Sequence, residues 1–215
     1  LFSGGTFCYE CQLILRDRVG PGAANAPLAP EHKLADAWKS GGHTVVDLGE
    51  DEFTVGRPHP MIDYSLRNRR LEEELKDPQA AVILLDVVLG YGSHPDPVEE
   101  LGPILSRAKK PVICSVTGTD QDPQQRSRVE RGLREAGAVV MTSNAAACRL
   151  AGEVVRILAE QHEAGKHGKE NKMAKTSCGC GKKVKPLPKS CTKTQVTKCH
   201  GKVKVHPCAK PGKKK

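Results

Sequence analysis

AAVILLDVVL, residues Ala80–Leu89, is an apolar run broken by a single charge, Asp86. It is too short for a membrane span and rich in β-branched residues, so it reads as a strand covered on both faces, as in a parallel sheet. Two further stretches have the same character, Pro111–Val116 (PVICSV) and His43–Leu48 (HTVVDL), with a short one at Val139–Met141. Leu1–Phe2 reads as the end of one more strand. Between them lie helical patterns at Thr6–Val19, Glu31–Lys39, Leu66–Lys76, Val98–Ala108 and Gln124–Ala136. A last helix, capped by Ser143 or Asn144, reaches about Gln161. Strands and helices alternating at this spacing predict an α/β class: a doubly wound, mainly parallel flavodoxin-like sheet with helices on both faces.

The formal charge of +9 over 215 residues conceals two different compositions. From Lys166 onward there are sixteen Lys, no Arg and one acid, Glu170, giving +15, whereas residues 1–165 carry −6. The expected division is therefore a globular domain over 1–162 and a Lys/Cys-rich tail over 163–215. With almost no large apolar residues, that tail is expected to be disordered, because it cannot offset its ordering entropy by burial. No run approaches the ~18 apolar residues of a membrane helix, and no secretory signal is present. Cys8, Cys11, Cys114 and Cys148 sit in apolar segments, as buried thiols of a reduced, cytoplasmic protein do.

A doubly wound sheet places chemistry in the crevice outside the carboxyl ends of its strands. The loops expected there are Ser3–Thr6, Gly49–Met61, Gly90–Pro97 and Thr117–Pro123. In LFSGGTFCYE (Leu1–Glu10) a strand end, a Gly-Gly turn and a helix start follow one another. That order aims backbone N–H groups and the positive end of a helix dipole at an anion, so Ser3, Gly4, Gly5 and Thr6 are candidate phosphate ligands. A Ser or Thr followed by Glu10 also fits a helix-capping pattern. His59 and His94, each beside a proline, are the candidate catalytic side chains, surrounded by Asp51, Glu52, Arg57, Asp86, Asp96 and Asp120.

SGGTFCYE resembles the SGTLTYE stretch that opens the second domain of the succinyl-CoA synthetase alpha subunit and related nucleoside-diphosphate-forming acyl-CoA synthetases. GEDEFTVGRPHPMID, AVILLDVVLGYGSHPDP, KKPVICSVTGT and LREAGAVVMTSNAAACRLA extend the likeness over roughly residues 1–160. The wording is most similar to the FdrA family of acyl-CoA synthetase-like proteins. The resemblance implies that Ser3, Gly4, Gly5 and Thr6 hold a phosphate or acyl phosphate, with CoA and a nucleotide as partners of the reaction. It also implies a preceding Rossmann-like CoA-binding domain, or a second subunit, that this chain lacks; starting without Met, the chain reads as a fragment. The synthetases work through a phosphohistidine in a GHAGA-type loop, and here that loop reads TGTDQDPQQ, without histidine. His59 or His94 is then left as base, phosphoryl acceptor or anion ligand. FdrA-like proteins also imply an oxamate carbamoyltransferase component using carbamoyl phosphate. The remaining alternative is a non-catalytic structural subunit.

In the tail, which opens on Met173 like a separate short reading frame, Cys178, Cys180, Cys199 and His200 are candidate zinc ligands. Their spacing fits no common ribbon. The lysines predict non-specific polyanion binding, and the absence of Arg and aromatics argues against base reading.

Overall fold

Val112–Thr117 runs through the middle of a three-stranded parallel sheet in a computed structural model that describes residues 1–176, with side chains to residue 162. The chain divides into two units, Leu1–Ile157 and a second that begins at Leu158. Among the described residues, every strand and the first five helices belong to the first.

In chain order the elements are α1 (Gly5–Val19), β1 (Ala23–Ala24), β2 (Thr44–Val45), α2 (Asp51–Thr54), α3 (Ser65–Lys76) and β3 (Ile83–Val88). They continue with α4 (Pro97–Leu105), β4 (Val112–Thr117), α5 (Arg126–Glu135), β5 (Val139–Met141) and α6 (Asn144–Thr176). All pairings are parallel: β1 with β2, and β3–β4–β5 in register Asp86↔Ser115 and Ser115↔Met141. The opening residues bridge the two sheets. Phe2 pairs with Asp47, donating to Val46 O (2.8 Å) and accepting from Leu48 N–H (2.8 Å). On the other side the Leu1 nitrogen donates to Leu84 O (2.7 Å). Leu1–Ser3 thus lies between β2 and β3, and the chain continues to one side of it through α1 and to the other through β3. That is the topological switch point of the sheet.

Alternation along β3 divides the core. Ile83, Leu85 and Val87 pack with Leu71, Leu101, Leu105 and Leu133 beneath α3, α4 and α5. Leu84 faces the opposite side, where Cys8, Cys11 and Cys148 of α1 and α6 pack, and Ile113 packs with Ala147 and Ala151. Helices therefore cover both faces, as the sequence predicts.

Three local expectations are corrected. Glu31–Lys39 forms only a 3₁₀ turn, Pro30–His32. Sheet and turn bonds take its backbone instead: Leu34 N–H donates to Ala24 O (2.8 Å), and Asp36 Oδ1 accepts from Trp38 N–H (2.9 Å). The Gly49–Met61 loop contains the helical turn α2. The capping pattern at the start of α1 does not form, since the N-cap is Gly4 with no side-chain cap bond. At the last helix, Ser143 Oγ accepts from Ala146 N–H (3.1 Å), the expected cap. Over 163–176, where the sequence predicts a disordered tail, the backbone continues α6, beyond the helix end expected near Gln161; the tail candidates Cys178, Cys180, Cys199 and His200 lie outside the described residues.

Candidate functional site

The carboxyl edge is built around Asp86. It sits in β3 on the face toward α1 and is fully buried. Its two carboxylate oxygens accept from Ser3 N–H (2.9 Å) and Ser3 Oγ–H (2.7 Å). Arg67 of α3, also fully buried, donates to the Asp86 carbonyl and to Oδ1 (3.2 Å). Ser3 is therefore pinned from the strand behind it, and its hydroxyl is given to Asp86. The turn that follows is left to Gly4, Gly5 and Thr6, of which Thr6 is exposed. The first N–H groups of α1 have no intrahelical acceptor and no side-chain cap, and they stand at the switch point.

Asp47 stands beside that turn. Its main chain is held on both sides by Asn25, through Asp47 N–H to Oδ1 (2.8 Å) and Nδ2–H to Asp47 O (2.8 Å). Oδ1 accepts from Gly49 N–H (2.8 Å). A β-carbon placed on Gly49 would lie 2.9 Å from His59 Nε2, 3.1 Å from Asp47 Oδ1 and 3.1 Å from Ser3 O. Only glycine lets these three groups converge. Burial pushes the Asp47 carboxyl above the usual aspartate range, against the lowering effect of the Gly49 N–H.

The two histidines are held alike. His59 Nδ1 accepts from Met61 N–H (3.2 Å), and His94 Nδ1 accepts from Asp96 N–H (3.2 Å). In the neutral imidazole the proton is then on Nε2, which acts as a donor. His94 donates its backbone N–H to Met61 O (2.9 Å), so one residue ties both loops. Its ring packs 5.1 Å from the Tyr64 ring, with Nε2 3.7 Å from Glu100 Oε1.

The surrounding acids and bases have structural tasks. Asp96 caps α4 through Val98 N–H (3.1 Å) and Glu99 N–H (3.2 Å) and pairs with Arg128 (2.8 Å). Asp120 accepts from Ser127 N–H (2.6 Å). Arg57 stacks 5.6 Å from the Trp38 ring. Glu52 pairs with Lys33 at 3.5 Å.

Sequence reasoning passed over Asp47, Arg67 and Gln124. An acid inside the apolar HTVVDL run was a signal for Asp47, whereas nothing in RNRR distinguishes buried Arg67 from its exposed neighbour Arg69. Gln124, nearly buried, lies in the TGTDQDPQQ loop. Its side chain donates to Gly90 O (2.8 Å) and His94 O (3.1 Å) and accepts from Gly90 N–H (3.1 Å), clamping the loop after β3. Its neighbour Gln125 holds a φ of 57°, the left-handed region.

Among the described residues no group of three or more His, Cys, Asp or Glu is placed to hold a metal ion. None of the described helices is long and apolar enough to cross a membrane. A cavity of about 280 Å³ lies at the opposite, amino end of the strands, between Leu1, Thr44 and Val82. Neither His59 nor His94 lines it.

The CoA-ligase family model matches residues 1–154. The uncharacterized protein YahF of Escherichia coli (strain K12) is 38% identical over 164 residues, which are 72% of this chain and 32% of that protein. The chain thus spans about a third of the length of this relative.

Proposed function

The chain belongs to the CoA-ligase family, and from that premise we propose that it supplies the phosphate- or acyl-phosphate-holding part of an FdrA-type acyl-CoA synthetase. The observation that carries the reading is the uncapped first turn of α1, held at the switch point by the Ser3–Asp86 bonds. Its N–H groups and helix dipole form a cradle for an oxyanion. Gly4, Gly5 and Thr6 are the ligands, and Ser3 orients them from behind. His59 and His94 act as Nε2–H donors to the anion or to a leaving oxygen rather than as phosphoryl acceptors, because their Nδ1 atoms already receive backbone protons. The rest of the machinery, including the surface that takes CoA and the nucleotide, belongs to a Rossmann-like domain or a second subunit.

One feature favours a second reading. The TGTDQDPQQ loop, where the resemblance implies a phosphohistidine, carries no histidine, and its Gln124 is engaged in clamping Gly90 and His94. An oxyanion cradle without a phosphohistidine suits direct transfer from a ready-made acyl phosphate, such as carbamoyl phosphate.

The test is a ¹⁵N–¹H titration of the full chain with phosphate and carbamoyl phosphate, following the Gly5 and Thr6 amides. A Thr6→Asp variant places a fixed carboxylate on the turn while favouring the helix start. Saturable shifts in the natural chain, abolished in Thr6→Asp, support the proposal. Amides that do not move in either protein leave the structural-subunit reading in its place.

A further inference from the structure

We infer that Asp47 makes oxyanion binding at the α1 turn proton-coupled: the anion binds together with one proton, taken from solvent onto Asp47 Oδ2 and shared with a bound oxygen. The inference rests on the cradle proposed above and concerns which anions it accepts and at what pH.

Asp47 is only 2% exposed, and its main chain is fixed by Asn25, so the carboxylate cannot retreat into water. Oδ1 is committed to the Gly49 N–H. Oδ2 has no hydrogen-bond donor among the described residues. It faces the helix start: a β-carbon on Gly5 would lie 3.3 Å from it. An oxyanion resting on the N–H groups of Gly4–Thr6 therefore meets this oxygen at close range.

The other charged and titratable groups around Asp47 do not neutralise it. Glu50 on its own segment and Asp86 on β3 add negative charge, and on α1 stand the Cys8 thiol and Tyr9, whose ring would lie 3.5 Å from the same β-carbon on Gly5. Arg67 is spent on Asp86. His59 alone among these neighbours opposes the negative charge. Two anionic oxygens in contact do not both remain ionised, and the proton that relieves them belongs to the pair. The upward push that burial already gives the Asp47 carboxyl acts in the same direction. The bond formed is O–H at Oδ2, no bond of the anion breaks, and the proton returns to solvent when the anion leaves. The cradle accordingly favours anions that carry a proton, such as the phosphate monoanion, over fully ionised ones, and takes a fully ionised acyl phosphate or sulfate only together with a proton from solvent.

Sulfate is the discriminating probe, since it brings no proton of its own near neutral pH. The full chain is titrated with sodium sulfate from about pH 5.5 to 7.5, with the Gly5 and Thr6 amides reporting. Linkage gives an affinity that falls by up to about tenfold per pH unit as pH rises. Asp47→Asn, which keeps an acceptor for the Gly49 N–H, should show a flat profile and bind more tightly than the natural chain at the upper end. His59→Gln should keep the natural slope. A flat profile in the natural chain, or an unchanged slope in Asp47→Asn, overturns the inference and leaves the cradle standing. Loss of the slope in His59→Gln also overturns it, moving the proton to the imidazole. If the Gly5 and Thr6 amides stay still in all three proteins, the cradle itself is wrong and the inference goes with it.

Discussion

Asp86 binds Ser3 twice, through the backbone N–H at 2.9 Å and the hydroxyl at 2.7 Å, across 83 positions of sequence. Both groups are buried, and the carboxylate also receives Arg67. Ser3→Ala removes one charge-assisted bond and should cost about 1–2 kcal/mol in urea unfolding. Asp86→Ala strips the acceptor from Ser3 and leaves the Arg67 guanidinium buried with only the Asp86 carbonyl. That loss should reach about 3–5 kcal/mol. Equal effects of the two substitutions would contradict the central place given to Asp86.

Asp47 should cost stability at neutral pH. Its folded carboxyl is raised by burial, so its contribution is most favourable below the ordinary aspartate pKa of about 4 and is lost as pH rises through the raised value. Asp47→Asn is expected to be more stable than the natural chain at pH 7 and indistinguishable from it in acid. Melting curves across that range decide the matter. A variant that is less stable at pH 7 would mean that the ionised carboxylate is itself a favourable partner in the fold.

Gly118 has a φ of 152°, and a β-carbon there would fall 2.7 Å from Leu89 Cβ and 2.8 Å from Asp122 Oδ2. Both the backbone angle and the contact exclude a side chain. Gly118→Ala is expected to destabilise by more than about 2 kcal/mol, whereas Gly92→Ala, with nothing within 4 Å, should be nearly silent. Paired chemical denaturation of the two variants tests this contrast.

Cys8 and Cys114 have thiols pushed up to about 12 by burial. Cys11 is raised as well, chiefly by its hydrogen bond with Cys148. The thiolate fractions of Cys8, Cys11 and Cys114 at pH 8 are negligible, so alkylation of these three positions, mapped by mass spectrometry, should require unfolding. Prompt labelling of Cys114 in the folded chain would contradict its place in the core.

Gln124 clamps the β3 loop through three bonds. Gln124→Ala should speed hydrogen exchange at the Gly90 amide, one of its direct partners, while the amides of β4 remain protected. Unchanged exchange at Gly90 would mean that the loop holds itself.

The sequence alone determined the architecture. Runs such as Ala80–Leu89 and Pro111–Val116 can only be satisfied by burial on both faces, and the helical patterns between them supply the cover. It also marked the edge where Ser3–Thr6, His59 and His94 stand, because strand ends fix where the loops must go. Where local bonds competed, as at Glu31–Lys39, periodicity misled: an Asx turn and a bridge to Ala24 took the backbone that a helix would have used. The roles within the edge were decided only by tertiary structure. Composition does not distinguish Arg67 from Arg69, yet packing buries the first against Asp86 and leaves the second in solvent. Ser3 has the look of an anion ligand in sequence, but a carboxylate 83 residues away claims its hydroxyl. Asp47 acquires its raised carboxyl from burial against residues scattered from Gly5 to His59. Desolvation and hydrogen-bond partnership are properties of contacts between distant segments, and no local pattern encodes them.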